Sequence, residues 1–228
     1  MTNPIIVALD VESAAQARAL VEQLGPQSDF YKVGMELYAA AGMDFVRELQ
    51  GRGKKVFLDL KFYDIPETVK RAVAQVAKTS VHFLTVHAVG SAMRAAVEGR
   101  GDSSLKLLAI TVLTSFGPED LRELGYDCPA AELVAVRTRQ ALQAGMDGVV
   151  TSPHEAAAVR AITGPAMAIV TPGVRSAGAA TADQRRVSTP AEALRSGADY
   201  LVMGRQITRA ADPAAEFARV LEELRTVV

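Results

Sequence analysis

The segment Val56-Phe57-Leu58-Asp59-Leu60-Lys61 sets two opposite charges inside an apolar run. A run this short and apolar reads as a strand, whose side chains alternate between two faces. Phe57, Asp59 and Lys61 then share one face, and Val56, Leu58 and Leu60 share the other. On a regular strand Asp59 and Lys61 stand roughly 6.6 Å apart. An isolated inward charge costs several kcal/mol, so each needs partners. Asp10 and Lys32, each at or near the end of its own apolar run, offer the complementary signs. A fixed ammonium among carboxylates, held at a barrel mouth, is a candidate for acting on a bound molecule rather than for holding the fold together. The competing reading is an ion-pair network that only closes the end of a core. Apolar residues of similar volume often stabilise as well as buried ion pairs do, which favours the chemical reading.

Asp64 has two readings that do not exclude each other. Asp64-Ile65-Pro66-Glu67 has the pattern of a helix start, with Asp64 as N-cap and Pro in the first turn. A carboxylate at a strand-to-helix junction can also face a site.

Positioning these groups requires regular elements. Eight apolar runs read as strands: Ile5–Leu9, Phe30–Val33, Val56–Leu60, Phe83–Val86, Leu107–Leu113, Gly148–Val150, Ala168–Val170 and Tyr200–Met203. Between them, Ala17/Leu20/Val21/Leu24, Val69/Ala72/Val73/Val76 and Phe217/Val220/Leu221/Leu224 repeat at helical spacing. Start signals stand at Ser13 with Gln16, at Ser152-Pro153-His154-Glu155, at Thr189-Pro190-Ala191-Glu192 and at Asp212-Pro213. Gly25, Gly145 and Gly197 follow helical runs as stops. Alternating units without a composition break predict one α/β domain over residues 1–228, a single (β/α)8 TIM barrel. A dinucleotide-binding sheet would need a glycine-rich turn after its first strand, and Asp10-Val11-Glu12-Ser13 has none.

In such a barrel function collects at the C-terminal strand ends, where Asp10, Lys32, Asp59, Lys61 and Arg205 fall. Gly204-Arg205 follows the eighth strand, a common phosphate position, and Thr171-Pro172-Gly173-Val174-Arg175 follows the seventh. Together they predict an anion site. From Pro172 to Ser188 no periodicity survives, which predicts a lid loop at 172–188.

Composition excludes other classes. Lys and Arg number 25 against 26 Asp and Glu, so no electrostatic case exists for nucleic acid or an anionic membrane. Trp is absent, and the one cysteine, Cys128, forms neither an intrachain disulfide nor a zinc cluster. No apolar run approaches the roughly 18 residues of a membrane span. The N-terminus shows no export signal, so a reducing cytoplasm is expected. His82, His87 and His154 have no metal-pair spacing and read as packing or surface residues.

Asp59-Leu60-Lys61-Phe62-Tyr63-Asp64-Ile65-Pro66-Glu67-Thr68-Val69 resembles the signature of orotidine 5′-monophosphate decarboxylases. The resemblance extends to Ala8-Leu9-Asp10, Lys32-Val33-Gly34, Thr111-Val112-Leu113-Thr114-Ser115, Thr171-Pro172-Gly173-Val174-Arg175, Asp183-Gln184-Arg185-Arg186 and Gly204-Arg205. It implies decarboxylation of orotidine 5′-monophosphate to UMP without a cofactor or metal. It implies Lys61 as proton donor, in an alternating tetrad of Lys32, Asp59, Lys61 and Asp64. Asp64, Ile65 and Thr68 would come from the second subunit of a homodimer. Asp10 and Lys32 would hold ribose hydroxyls, and Thr114, alone or with Ser115, the pyrimidine edge. Arg175, Gln184, Gly204 and Arg205 would hold the phosphate. Sugar-phosphate enzymes of the same superfamily share the Asp-x-Lys-x-x-Asp core, so a metal-dependent decarboxylase or aldolase is one alternative. A non-catalytic nucleotide-binding barrel is the other.

Overall fold

Strands that are apolar on both faces need cover on both, and a parallel barrel ringed by helices supplies it. The computed structural model describes residues 3–176 and 188–225 and shows this arrangement. Eight parallel strands close in sequence order: β1 (Ile5–Ala8), β2 (Phe30–Gly34), β3 (Lys55–Phe62), β4 (Phe83–His87), β5 (Lys106–Ile110), β6 (Gly148–Val150), β7 (Ala168–Thr171) and β8 (Tyr200–Met203). The helices are α1 (Ala14–Leu24), α2 (Met35–Gly51), α3 (Pro66–Val76), α4 (Gly90–Arg100), α5 (Pro118–Glu123), α6 (Ala130–Ala144), α7 (Ala156–Thr163), α8 (Pro190–Arg195), α9 (Arg205–Thr208) and α10 (Pro213–Arg225).

The expected strands are all present; β1, β2, β4 and β7 differ from expectation by a single residue at one end, and β3 and β5 by more. β5 ends at Ile110 rather than Leu113. Thr111 still donates its N–H to the Val150 carbonyl, but the chain then turns, with Phe116 N bonded to Leu113 O at 3.0 Å. An apolar run does not reveal where a chain leaves the sheet to cross the barrel mouth. β3 is longer than expected, running from Lys55 through Phe62.

Inside the barrel, Ile6, Ala8, Phe30, Phe57, Phe83, Leu108, Val170 and Val202 form a separate buried cluster. Its aromatic members interlock: Phe57 and Phe83 meet edge-on at 5.9 Å, and Phe83 and Tyr200 at 5.2 Å. This plug leaves the interior dry below the charges. Two residues further along β2, β3 and β4, the inward positions turn polar: Phe30 gives way to Lys32, Phe57 to Asp59, and Phe83 to Thr85. The second core lies between strands and helices, where α1 buries Ala17, Leu20, Val21 and Leu24 as its spacing predicts.

Helix starts follow the sequence signals with local variation. Thr189 and Glu192 form the reciprocal box on α8. Ser13 accepts from Gln16 N, but the Gln16 side chain takes the N–H of Glu12, one residue earlier than a reciprocal box requires. Ser152 caps a single 3-10 turn, Pro153–Glu155, before α7 begins.

α4 packs closely on α3, where a Cβ on Gly99 would overlap the backbone carbonyl of Lys70. Gly99→Ala should therefore destabilise by about 1–3 kcal/mol, lowering the melting midpoint by roughly 2–4 °C per kcal/mol. Gly51→Ala, which meets open space, should not. Equal midpoints for the two variants in thermal denaturation would contradict this packing.

Candidate active site

At the C-terminal mouth of the barrel four charged side chains converge. The Lys32 ammonium, on β2, donates to Asp10 Oδ1 at 2.7 Å and lies 3.7 Å from Asp59 Oδ2. The Lys61 ammonium, on β3, donates to the same Asp59 oxygen at 2.9 Å. Asp59 Oδ1 accepts from the Thr85 hydroxyl on β4 at 2.9 Å. Burial works against ionisation of Asp59, but the Lys32 and Lys61 charges outweigh it, aided by hydrogen bonds from Lys61 and Thr85. They hold its carboxyl below the ordinary carboxylate range. The carboxylate therefore stays charged at neutral pH although most of it is shielded from solvent. Gly34 makes room for the cluster, because a Cβ there would stand 2.9 Å from the Lys32 ammonium and 3.0 Å from Asp10 Oδ1.

Asp59 and Lys61 both face the cavity, as strand alternation predicts, but the strand between them is not regular. β3 and β4 pair at Leu58↔Leu84 and again at Phe62↔Val86, with a register shift between. Three residues of β3, Asp59 to Lys61, thus oppose Thr85 alone. Lys61 sits in the bulge with φ 51°, a left-handed conformation rare outside glycine. Such a residue stores about 1–3 kcal/mol of strain and persists only where its surroundings fix it. Here the Lys61 N–H donates to the Thr85 hydroxyl at 2.9 Å. The bulge aims the lysine into the mouth and brings its ammonium into contact with Asp59.

The cluster opens into a cavity of about 530 Å³, within the range of small-molecule sites. Asp10, Lys32, Asp59, Lys61, Thr114, Arg175, Gly204 and Arg205 line it. Burial and the neighbouring charge of Arg205 push the Arg175 guanidinium down. Two cations close enough to repel form a place for an anion. The segment that bears Arg175 is tied at its base. Arg175 N donates to Ser188 O at 3.0 Å, and Ser176 joins a hydrogen-bonded group with Gln206, Arg219 and Glu223.

The remaining expected residues lie elsewhere. Gln184 and most of the segment expected as a lid fall outside the described residues. Ser115 does not line the cavity, and neither do Asp64, Ile65 and Thr68, which are all exposed on the rim. The capping expectation for Asp64 is corrected. Ile65 occupies the N-cap position of α3 with ψ 146°, and Asp64 Oδ1 accepts only from the adjacent Ile65 N, at 2.6 Å. The residue before a proline is steered to extended backbone, so Ile65 cannot open the helix and Asp64 stands one position too early to cap it.

Sequence reasoning missed Met35, Glu36, Gln206 and Arg209, which also line the cavity, and Thr85 behind it. The Lys32-Val33-Gly34 segment pointed towards the first two. No periodicity or motif marked Thr85. His82 packs against Phe30 and Phe83, as a packing histidine would. Among the described residues no group of three or more His, Cys, Asp or Glu is placed to hold a metal ion. No helix among them is long and apolar enough to cross a membrane.

Fold and site together define a (β/α)8-barrel protein whose charged mouth suits a phosphorylated small molecule. A family model described as Orotidine 5′-phosphate decarboxylase / HUMPS family matches residues 3–220. The chain is 52% identical over 220 residues to the orotidine 5′-phosphate decarboxylase of Nitrobacter winogradskyi, covering 96% of this chain and 92% of that one. It is 51% identical over 220 residues to the enzyme of the same name from a Caulobacter species, covering 96% of each. The crystal structure of orotidine 5′-phosphate decarboxylase from Lactobacillus acidophilus superposes with a TM-score of 0.85 at 38% identity, covering 97% of this chain and 98% of that chain. The chain belongs to the orotidine 5′-phosphate decarboxylase / HUMPS family.

The electrostatics make a titration testable. With its folded pKa lowered, Asp59 contributes stability that is whole above the unfolded value of about 3.9 and is lost as pH falls through the lower folded value. Lys32→Met removes one opposing charge while burial remains, so the Asp59 carboxyl should titrate at higher pH. Carbon-13 NMR of the labelled carboxyl carbon measures this. An unchanged midpoint would show that Lys32 does not set the charge of Asp59.

Proposed function

We propose that this protein decarboxylates orotidine 5′-monophosphate to UMP and CO2, the closing step of pyrimidine nucleotide synthesis. The observation that carries the reading is the Asp59 carboxylate held ionised by Lys32 and Lys61 in a cavity that also presents Arg175 and Arg205. The names of the relatives agree with it.

The chemistry follows from what these residues can do. The bond between C6 and the carboxyl carbon breaks, CO2 leaves, and the electron pair stays on C6. No carbonyl is placed to delocalise that pair, so stabilisation has to come from fixed charge. The Lys61 ammonium lies beside the developing carbanion and then transfers its proton to C6, leaving a neutral amine. Asp59 keeps that ammonium aimed, through the 2.9 Å hydrogen bond to its Oδ2. Asp10 and Lys32 hold ribose hydroxyls, and Thr114, alone or with Ser115, the pyrimidine edge. Arg175, Gly204 and Arg205 bind the phosphate, and Gln184 is assigned to the same group. Binding energy from the remote phosphate can then be used to order the site around the reacting carbon. The reading invokes no cofactor.

We also propose a homodimer in which Asp64, Ile65 and Thr68 complete the partner's site. Ile65 at 67% and Tyr63 at 65% exposure form an apolar rim that a second copy would cover. A cytoplasmic location suits a chain with one cysteine.

Incubation with orotidine 5′-monophosphate in the presence of EDTA, followed by pyrimidine absorbance, should show full turnover. Turnover abolished by EDTA and restored by magnesium would favour the metal-dependent alternative. No turnover under either condition would favour a binding protein. Lys61→Ala should lower kcat by at least about 10²-fold with the fold intact by circular dichroism. Residual activity within tenfold would remove Lys61 as proton donor. Arg205→Ala should weaken UMP binding by about 10- to 100-fold, the equivalent of one charge-assisted hydrogen bond, and leave uridine binding unchanged in calorimetry. Equal losses for both ligands would move the phosphate elsewhere.

A further inference from the structure

We infer that Thr85 is the positioning residue of this site: one buried hydroxyl on β4 fixes both Asp59 and Lys61 and thereby governs turnover without touching the substrate. The inference rests on the decarboxylase reading above for what turnover is, and on geometry for how Thr85 acts.

Thr85 is fully buried and is not among the residues that line the cavity. It stands opposite the bulge of β3, where the ladder between the strands is interrupted between Leu58 and Phe62. At that gap its hydroxyl does two things at once. As acceptor it takes the Lys61 N–H at 2.9 Å, holding the backbone at φ 51°. As donor it binds Asp59 Oδ1 at 2.9 Å. A hydroxyl has one proton to give and lone pairs to accept with, so one group serves both residues.

The division of Asp59 between its neighbours explains why this matters. Oδ1 faces Thr85, and Oδ2 faces both ammonium groups. Without the Thr85 donor the carboxylate is free to rotate about its terminal bond, which has a broad torsional well. Without the Thr85 acceptor the strained Lys61 backbone loses its tether to β4. Both changes shift the ammonium relative to C6, and catalysis is sensitive to displacements of about 1 Å. The phosphate and ribose contacts come from other strands and should be little affected.

Valine is nearly isosteric with threonine and lacks the hydroxyl, while serine keeps it. Thr85→Val should lower kcat for orotidine 5′-monophosphate by about 10- to 100-fold, with KM and UMP affinity within threefold of the wild type. Thr85→Ser should retain most of kcat. A residue with a merely structural role would lower the melting midpoint in both variants and leave kcat of the folded enzyme alone. A kcat for Thr85→Val within twofold of the wild type overturns the inference, as does an equal loss in Thr85→Ser. Should the valine variant not fold, Thr85→Ala carries the same comparison against serine. A wild type that releases no CO2 would refute the decarboxylase reading instead. Asp59 carboxyl titration then tests Thr85 directly, since loss of its donated bond should raise the midpoint in Thr85→Val and an unmoved midpoint would overturn the inference.

Discussion

Two ammonium groups address one buried carboxylate oxygen, and the architecture of the barrel mouth follows from keeping them there. Taking Asp59 out of water costs several kcal/mol, which only well-placed opposite charge offsets. Lys32 and Lys61 supply it at 3.7 and 2.9 Å. Removing either ammonium weakens that compensation and leaves Asp59 to the other lysine and the Thr85 hydroxyl. Such a cluster is a poor way to hold a protein together and a good way to hold an ammonium fixed. The positive charge is oriented before a ligand arrives, so little reorganisation remains at the moment of reaction.

The fold supports this in layers. Aromatic side chains from β2, β3, β4 and β8 close the lower barrel, and the same inward positions one step further on carry Lys32, Asp59 and Thr85. The dry plug keeps the dielectric low beneath the charges, which strengthens their coupling. Above them, the segment after β7 and the start of α9 after β8 bring Arg175 and Arg205 to the same cavity. An anionic head at the arginines and reacting atoms at the lysine give one ligand two fixed ends.

Much of this was readable because it depends on period and punctuation. Continuous apolar runs gave the eight strands, and alternation put Asp59 and Lys61 on one face. The β3 bulge was not readable. Leu58-Asp59-Leu60-Lys61 contains neither glycine nor proline, and no local signal says that a lysine will adopt positive φ. That conformation is imposed by pairing with β4, which a single strand does not encode. Thr85 stayed hidden for the same reason, since a threonine inside Phe83-Leu84-Thr85-Val86-His87 is an ordinary strand residue until the register is known. Asp64 misled in the opposite direction. Its local pattern advertised a cap, and the constraint of the following Ile65-Pro66 pair shifted the helix start by one residue.

The most direct test of the central claim is a crystal structure of Lys61→Ala with orotidine 5′-monophosphate bound. The account predicts the phosphate between Arg175 and Arg205, and the C6 carboxylate beside Asp59. It places C6 about 3–3.5 Å from where the missing ammonium would sit. A nucleotide bound with its pyrimidine ring away from the third strand, or with its phosphate against Lys32 and Asp10, would contradict it.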